Sequence, residues 1–228
     1  MALVTTDAGP RPLIIAIDGP SGAGKGTVAR TIAARLRYRH VDTGAMYRAV
    51  AWRARQNGVE LSDGPAVAAI AAAARFELDG GVVIDGCDVT SAIRTAEMDL
   101  AAASVARLPE VRAALVTRQR AFGHSGGVVM EGRDIGTVVF PRADVKLYLD
   151  ASPDERARRR AVDPAHTAGR QHAGVESVAQ ALEARDLSDR TRAVSPLTRA
   201  DDAVYIDTTG VPVDEVVSRV LAIVESRL

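Results

Sequence analysis

Cysteine is nearly absent. Cys87 stands alone among 228 residues, which excludes an intramolecular disulfide and a cysteine-based metal site, and it reads as a small passive side chain in a chain suited to a reducing compartment. Net charge is also absent, because 29 basic residues balance 29 acidic ones. No global field draws nucleic acid, so any anion site has to be local. Lysine is scarce: of the 29 basic residues only Lys25 and Lys146 are lysines, so arginine count by itself carries little meaning. Long apolar runs are missing too. The longest, Ala66 to Ala74, is too short to cross a bilayer, and Met1 to Arg11 has no basic-then-apolar leader pattern, which leads us to expect a cytoplasmic protein. There is no internal repeat, no nucleic-acid motif and no Asn-Lys-x-Asp guanine-reading motif.

What is present begins with Gly19-Pro20-Ser21-Gly22-Ala23-Gly24-Lys25-Gly26-Thr27, set between the apolar run Leu13 to Ile17 and the helical run Val28 to Leu36. Glycines at the first and sixth positions and lysine at the seventh fit a P-loop, whose backbone N–H groups wrap phosphate oxygens at a helix N-terminus. In a chain that otherwise uses arginine, Lys25 supplies a compact, flexible ammonium where a point charge has to reach β- and γ-phosphates. Gly26 occupies the position where a magnesium-side hydroxyl usually stands, and Thr27 brings that hydroxyl one residue late.

Further along, Tyr38 to Asp42 reads as a second strand running into Asp42-Thr43-Gly44, and Ala45 to Asn57 as a helix whose Trp52 faces the core. Between Asp63 and Thr95 a helical run gives way to short strands and turns (76–78, 82–84, 87–89). They predict a small antiparallel insertion that acts as a moving wall. Pro109 opens a helix carrying Arg112, and Val128 to Glu131 is a buried strand that delivers Gly132-Arg133-Asp134 to the crevice of the P-loop. Val145 to Leu149 and Ala203 to Asp207 are further strands, and Val213 to Leu228 is a closing amphipathic helix. Ser152-Pro153 starts a helix with Arg156, Arg158, Arg159 and Arg160; the polar stretch Asp163 to Gly174, with His166 and His172, reads as a lid loop without metal-ligand spacing. On the helix from Val175 to Arg192, residues Arg185, Asp189 and Arg192 share one face, which fits a surface ion-pair network and a binding site equally well. The order of elements predicts an α/β fold with a parallel sheet and helices on both faces.

Glycine after the P-loop lysine resembles the nucleoside monophosphate kinases. With Asp42-Thr43-Gly44-Ala45-Met46-Tyr47-Arg48, the run Glu131 to Pro141 and the segment Arg185 to Pro196, the chain resembles the bacterial cytidylate kinases from Leu13 to about Leu221. The resemblance implies a P-loop NTPase fold with core segments 12–62, 97–155 and 175–228, a monophosphate-binding insertion at 63–96 and a lid at 156–174. It implies transfer of the γ-phosphoryl of ATP to CMP or dCMP, with Mg2+ as cofactor, by a cytoplasmic monomer that binds neither nucleic acid nor membrane. By this resemblance the loop from Gly19 to Thr27, with Arg158, holds ATP, and Thr27 lies on the magnesium side. Arg48 and Arg133 take the CMP phosphate. Thr43, Arg112, Asp134 and Arg192 line the pyrimidine, and Arg185 and Asp189 meet the sugar. Lys25, Arg133 and Arg192 are the catalytic cations. One departure stands out: a serine that meets the sugar in some members is replaced by Ala103, with Ser104 beside it.

Overall fold

The computed structural model describes residues 11–163 and 175–227. The chain opens with β1 (Ile14–Asp18), the glycine loop and α1 (Lys25–Leu36), then β2 (Arg39–Asp42) and α2 (Thr43–Gln56). An insertion follows: α3 (Gly64–Ala73) and an antiparallel sheet of β3 (Phe76–Glu77), β4 (Val83–Ile84) and β5 (Cys87–Asp88). Helices α4 (Ala96–Val105) and α5 (Pro109–Phe122) lead to β6 (Val128–Gly132) and a π-helical turn, Ile135–Val139. Last come β7 (Val145–Asp150), α6 (Pro153–Val162), α7 (Val175–Thr191), β8 (Val204–Asp207) and α8 (Val213–Glu225).

The five core strands pair in the order β2-β6-β1-β7-β8, all parallel. This is the doubly wound sheet expected from the alternation of short β-branched runs with helical ones. In β1, Ile15 and Ile17 point to one face, where they pack with Val28, Ala29 and Ile32 of α1 and Val217, Val220 and Val224 of α8. Ala16 points to the other, into the cluster built by α2, α3, α4 and α5. The insertion adds Ile84 and Val89 to that second cluster, and Arg53 of α2 bonds the Ile84 carbonyl (3.4 Å) and the Asp85 carboxylate (3.1 Å). Trp52 packs against the same cluster, in line with its core assignment.

Register positions the site. Asp18 pairs with Gly132 and Asp42 with Glu131, so the glycine loop, Thr43 and Arg133 all leave the sheet at its C-terminal edge. The neighbours of β1 are reached by chain excursions in opposite directions, which makes its end the switch point where open α/β sheets bind ligands. Asp18 reinforces the junction, since its carboxylate accepts from the Ile135 (2.8 Å) and Gly136 (2.7 Å) backbone N–H groups and anchors the π-helical turn just after Arg133-Asp134. Burial pushes the Asp18 pKa up to about 6 in spite of those two hydrogen bonds. Of the segment 156–174 expected to act as a lid, residues 164–174, including His166 and His172, lie outside the described residues.

Candidate active site

Packing and backbone conformation explain the glycines of the loop. Gly19 passes so close to β7 that an added Cβ would stand 1.9 Å from the Leu149 carbonyl oxygen. Gly24 has φ 88° and precedes α1 without any side-chain cap, which leaves the first-turn N–H groups of α1 for a ligand. Gly26 has a different reason: a Cβ there would approach the Glu131 Oε1 at 3.1 Å, so the residue that displaces the hydroxyl to Thr27 makes room for a carboxylate. Pro20 and Ala23 shape the loop and do not line the cleft; Ala23 belongs to the core beneath it, and the Pro20 carbonyl accepts from Lys25 Nζ at 2.7 Å. Burial, helped by the Arg133 charge, pulls the Lys25 pKa down to about 7.

Beside the loop lies a cleft of about 400 Å³. It brings together Thr43, Arg48, Arg112, Arg133, Asp134, Arg185, Asp189 and Arg192 with Ser21, Gly22, Gly24, Lys25, Gly26 and Thr27. Thr43 is fixed by donating its hydroxyl to the Glu131 carbonyl (2.8 Å), and Asp42 caps α2 through the Ala45 N–H (3.0 Å) while holding Arg48 (3.0 Å). Charges alternate along the wall. Arg112 pairs with Asp134, Arg192 lies 3.7 Å from Asp134 and 3.9 Å from Asp189, and Arg133 Nε donates to Asp189 at 2.8 Å. Burial works against the Asp189 carboxylate, but Arg133, Arg185 and Arg192 outweigh it and hold its pKa below the usual range. Tyr47 lies under the Arg112 guanidinium, 5.7 Å from ring centroid to Cζ, and burial pushes its pKa up to about 12. Arg185 and Asp189 of α7, with Arg192 just past its end, line the cleft and form ion pairs there, so the face they share is not an open surface.

This wall keeps unused hydrogen-bonding capacity. Among the described residues, the Arg48 Nε, Arg112 Nε, Arg185 Nε and Arg192 Nη2 are buried without a hydrogen-bond partner. Each such group costs about 1–3 kcal/mol, which a ligand rich in acceptors would recover.

The arginines of α6 divide by helix phase. Arg156 turns inward beneath the loop, donating to the Ser21 carbonyl (3.2 Å) and pairing with Asp186. Arg159 and Arg160 line the cleft. Arg158, picked from the sequence for the ATP side, sits about 100° around the helix from Arg159. It is 64% exposed, pairs with Glu155 and stays out of the main cleft. It borders instead a second cavity of about 360 Å³, between Gly24 and Thr27 on one side and Gly210 to Val213 on the other. At the departure noted above, Ala103 lines the cleft and Ser104 turns away, donating to the Leu100 carbonyl at 3.1 Å. Sequence reasoning did not single out Glu131, Tyr47, Arg94 or Asp42 as site residues, although a carboxylate closing the apolar run Val128–Met130 was a usable signal for Glu131.

Among the described residues no histidine or cysteine lines this cleft, so it offers no side-chain nucleophile activated by an imidazole. A wall of arginines meeting a lysine-bearing glycine loop is suited to moving a phosphoryl group between two anions, and the fold and site together define a kinase of the P-loop class. The cytidylate kinase sequence profile matches residues 15–226, and the chain belongs to the cytidylate kinase family. A cytidylate kinase of Solibacter usitatus (strain Ellin6076) is 47% identical over 223 residues, covering 97% of this chain and 96% of that one. The cytidylate kinase of Pelotomaculum thermopropionicum is 48% identical over 216 residues, covering 91% and 94%. Among solved structures, an uncharacterized protein from Eubacterium ventriosum aligns with a TM-score of 0.51 at 11% identity over 94% of this chain and 99% of that one, a likeness of fold alone.

Proposed function

We propose that the chain transfers the γ-phosphoryl of ATP to CMP or dCMP, giving ADP and CDP or dCDP. The observation that carries this reading is the convergence of the alternating Arg112–Asp134–Arg192–Asp189–Arg133 wall with the Lys25 loop in one cleft. The acceptor phosphate, with a second pKa of about 6, is already mostly dianionic at neutral pH and attacks without a general base. The residues therefore need to neutralise two polyanions, align them in line and exclude water. Lys25 and the loop N–H groups hold the donor phosphates. Arg48 and Arg133 hold the acceptor phosphate, and Arg192 joins them as a cation near the transferring group. Thr43, Arg112, Asp134 and Arg192 read cytosine, whose N4 amino group is a donor for Asp134. Arg185 and Asp189 are assigned to the sugar, and the methyl wall at Ala103 offers it no hydroxyl. Arg158 retains a place on the ATP side through the second cavity, which adjoins the loop at Gly24 and Thr27 and is assigned to the donor nucleoside.

Magnesium fits as a partner of the nucleotide. Among the described residues no group of three His, Cys, Asp or Glu side chains stands ready to hold a metal alone, whereas Thr27 is exposed on the cleft. Thr27 would be the side chain on the side of a nucleotide-bound Mg2+, which would supply charge neutralisation at the substrate phosphates. A cytoplasmic monomer remains part of the proposal; no described helix is long and apolar enough to cross a membrane.

The test is ADP formation from ATP by the pure protein with and without CMP. Formation that requires CMP supports the reading; equal hydrolysis without acceptor contradicts it. Lys25 adds a pH signature. Because its pKa sits near 7, a phosphate against Nζ has to raise it, so ATP binding at pH 8 takes up close to one proton. Affinity then weakens as pH rises above about 7, by up to about tenfold per unit. Calorimetry in two buffers of different ionisation enthalpy measures the uptake, and Lys25→Ala should abolish it.

A further inference from the structure

Behind the arginines of the cleft lies a carboxylate that the reading above does not use. Asp99 occupies the first turn of α4, one residue past a turn capped by Thr95 (Met98 N–H to Thr95 Oγ1, 3.1 Å), where the helix N-terminus favours a negative charge. It sits three and four residues before Ala102 and Ala103, the α4 residues that line the cleft, so all three share one helix face. Asp99 itself is 9% exposed and is not part of the cleft lining.

Among the described residues, three cations from three helices converge on it. Arg185 of α7 approaches Oδ1 at 3.1 Å, Arg48 of α2 approaches the same oxygen at 3.7 Å, and Arg160 of the lid helix α6 pairs with Oδ2. All three line the cleft. Their mutual repulsion is felt at Arg160, where burial and the charges of Arg185 and Arg48 pull the pKa below the ordinary value while Asp99 and Asp163 oppose them. Arg48 has a second anchor in Asp42, and among the described residues the ties of Arg160 and Arg185 to α4 run through Asp99.

We infer that Asp99 is a positioning residue for phosphoryl transfer, holding Arg160 of the lid helix and Arg185 beside Arg48 so that cations from three elements face one point in the cleft. The inference rests on the proposed reaction and deepens it. Its physical content is a trade-off. A buried carboxylate among three guanidiniums lowers the positive charge available to a bound anion, and in return it keeps the guanidiniums from separating. Removing the charge while keeping the shape should therefore bind simple anions more strongly and transfer phosphoryl less well. A residue that merely supported the fold would weaken both.

The test compares wild type, Asp99→Asn and Asp99→Glu in steady-state transfer from ATP to CMP and in calorimetric binding of inorganic phosphate. Asp99→Asn is expected to lower kcat by about tenfold or more with KM for CMP unchanged or lower, and to bind phosphate at least about threefold more tightly. Asp99→Glu, which restores the charge, is expected to return kcat to within about threefold of wild type. A wild-type kcat in Asp99→Asn overturns the inference, as does a raised KM, weaker phosphate binding, a loss that Asp99→Glu fails to repair, or an Asp99→Asn protein that no longer folds. A wild type inactive on CMP would instead count against the reaction itself, and the phosphate titration would still decide whether Asp99 restrains the arginines.

Discussion

Replacing Lys25 with alanine is expected to lower kcat by about a thousandfold or more while the affinity for CMP moves by less than about threefold. The ammonium lies in the glycine loop at the head of α1, bonded across the loop to Pro20, whereas the residues assigned to CMP come from α2, α5, the turn just after β6, and α7 with the residue that follows it. The loss should fall on donor phosphates and the transition state and leave the acceptor site intact. Lys25→Arg should not rescue activity, because a planar guanidinium is larger and the site leaves Lys25 only 6% exposed. Stability separates this effect from damage. Burial depresses the pKa of Lys25, so the folded state disfavours its charged form. That penalty is fully present below about pH 7 and is relieved as pH rises from there toward the unfolded value of 10.5. Alanine removes the penalty, so the melting temperature at pH 7 should be equal or higher. A lower melting temperature together with lost CMP binding would point to a structural role instead.

Asp134→Asn is expected to reduce kcat/KM for CMP by about a hundredfold or more and to narrow the preference for CMP over UMP by at least about tenfold. Asp134 stands between Arg112 and Arg192, both almost fully buried, and neutralising it leaves the two cations without their shared partner. Part of the loss is therefore general. The specific part comes from chemistry at one edge of the base: a carboxylate accepts from the N4 amino group of cytosine, while a carboxamide can also donate to the oxygen that uracil carries there. Kinetics on both acceptors distinguishes the parts. A loss equal for CMP and UMP would restrict Asp134 to positioning arginines.

Four of the five core strands were legible as short, largely apolar and β-branched runs, β2 (Arg39-His40-Val41-Asp42) only from its place before Asp42-Thr43-Gly44, and the insertion because Asp79-Gly80-Gly81 and Asp85-Gly86 punctuate it. The P-loop was legible because its chemistry is local in sequence. Other features depend on three-dimensional packing. Four arginines within five residues cannot be assigned by pattern, since one residue rotates a helical side chain by about 100°. That rotation puts Arg159 in the cleft as well as at the second cavity, whereas Arg158 borders the second cavity and not the cleft. Gly26 read as a displaced hydroxyl, and its packing against Glu131 depends on strand β6, more than a hundred residues away. The π-helical turn at Ile135–Val139 has no apolar period of its own and relies on Asp18 for its start. Asp99 in its alanine-rich helix has no such local signal, because among the described residues it meets arginines from α2, α6 and α7.

The central claim is that the donor loop and the arginine–aspartate wall form one site for phosphorylating a cytidine monophosphate. An acceptor panel of CMP, dCMP, UMP and AMP with ATP and Mg2+, read as kcat/KM for ADP formation, tests it most directly. The account predicts that CMP and dCMP lead and that UMP and AMP fall at least about a hundredfold behind, the discrimination open to a site built to hydrogen-bond one base edge. UMP turned over as well as CMP would contradict it.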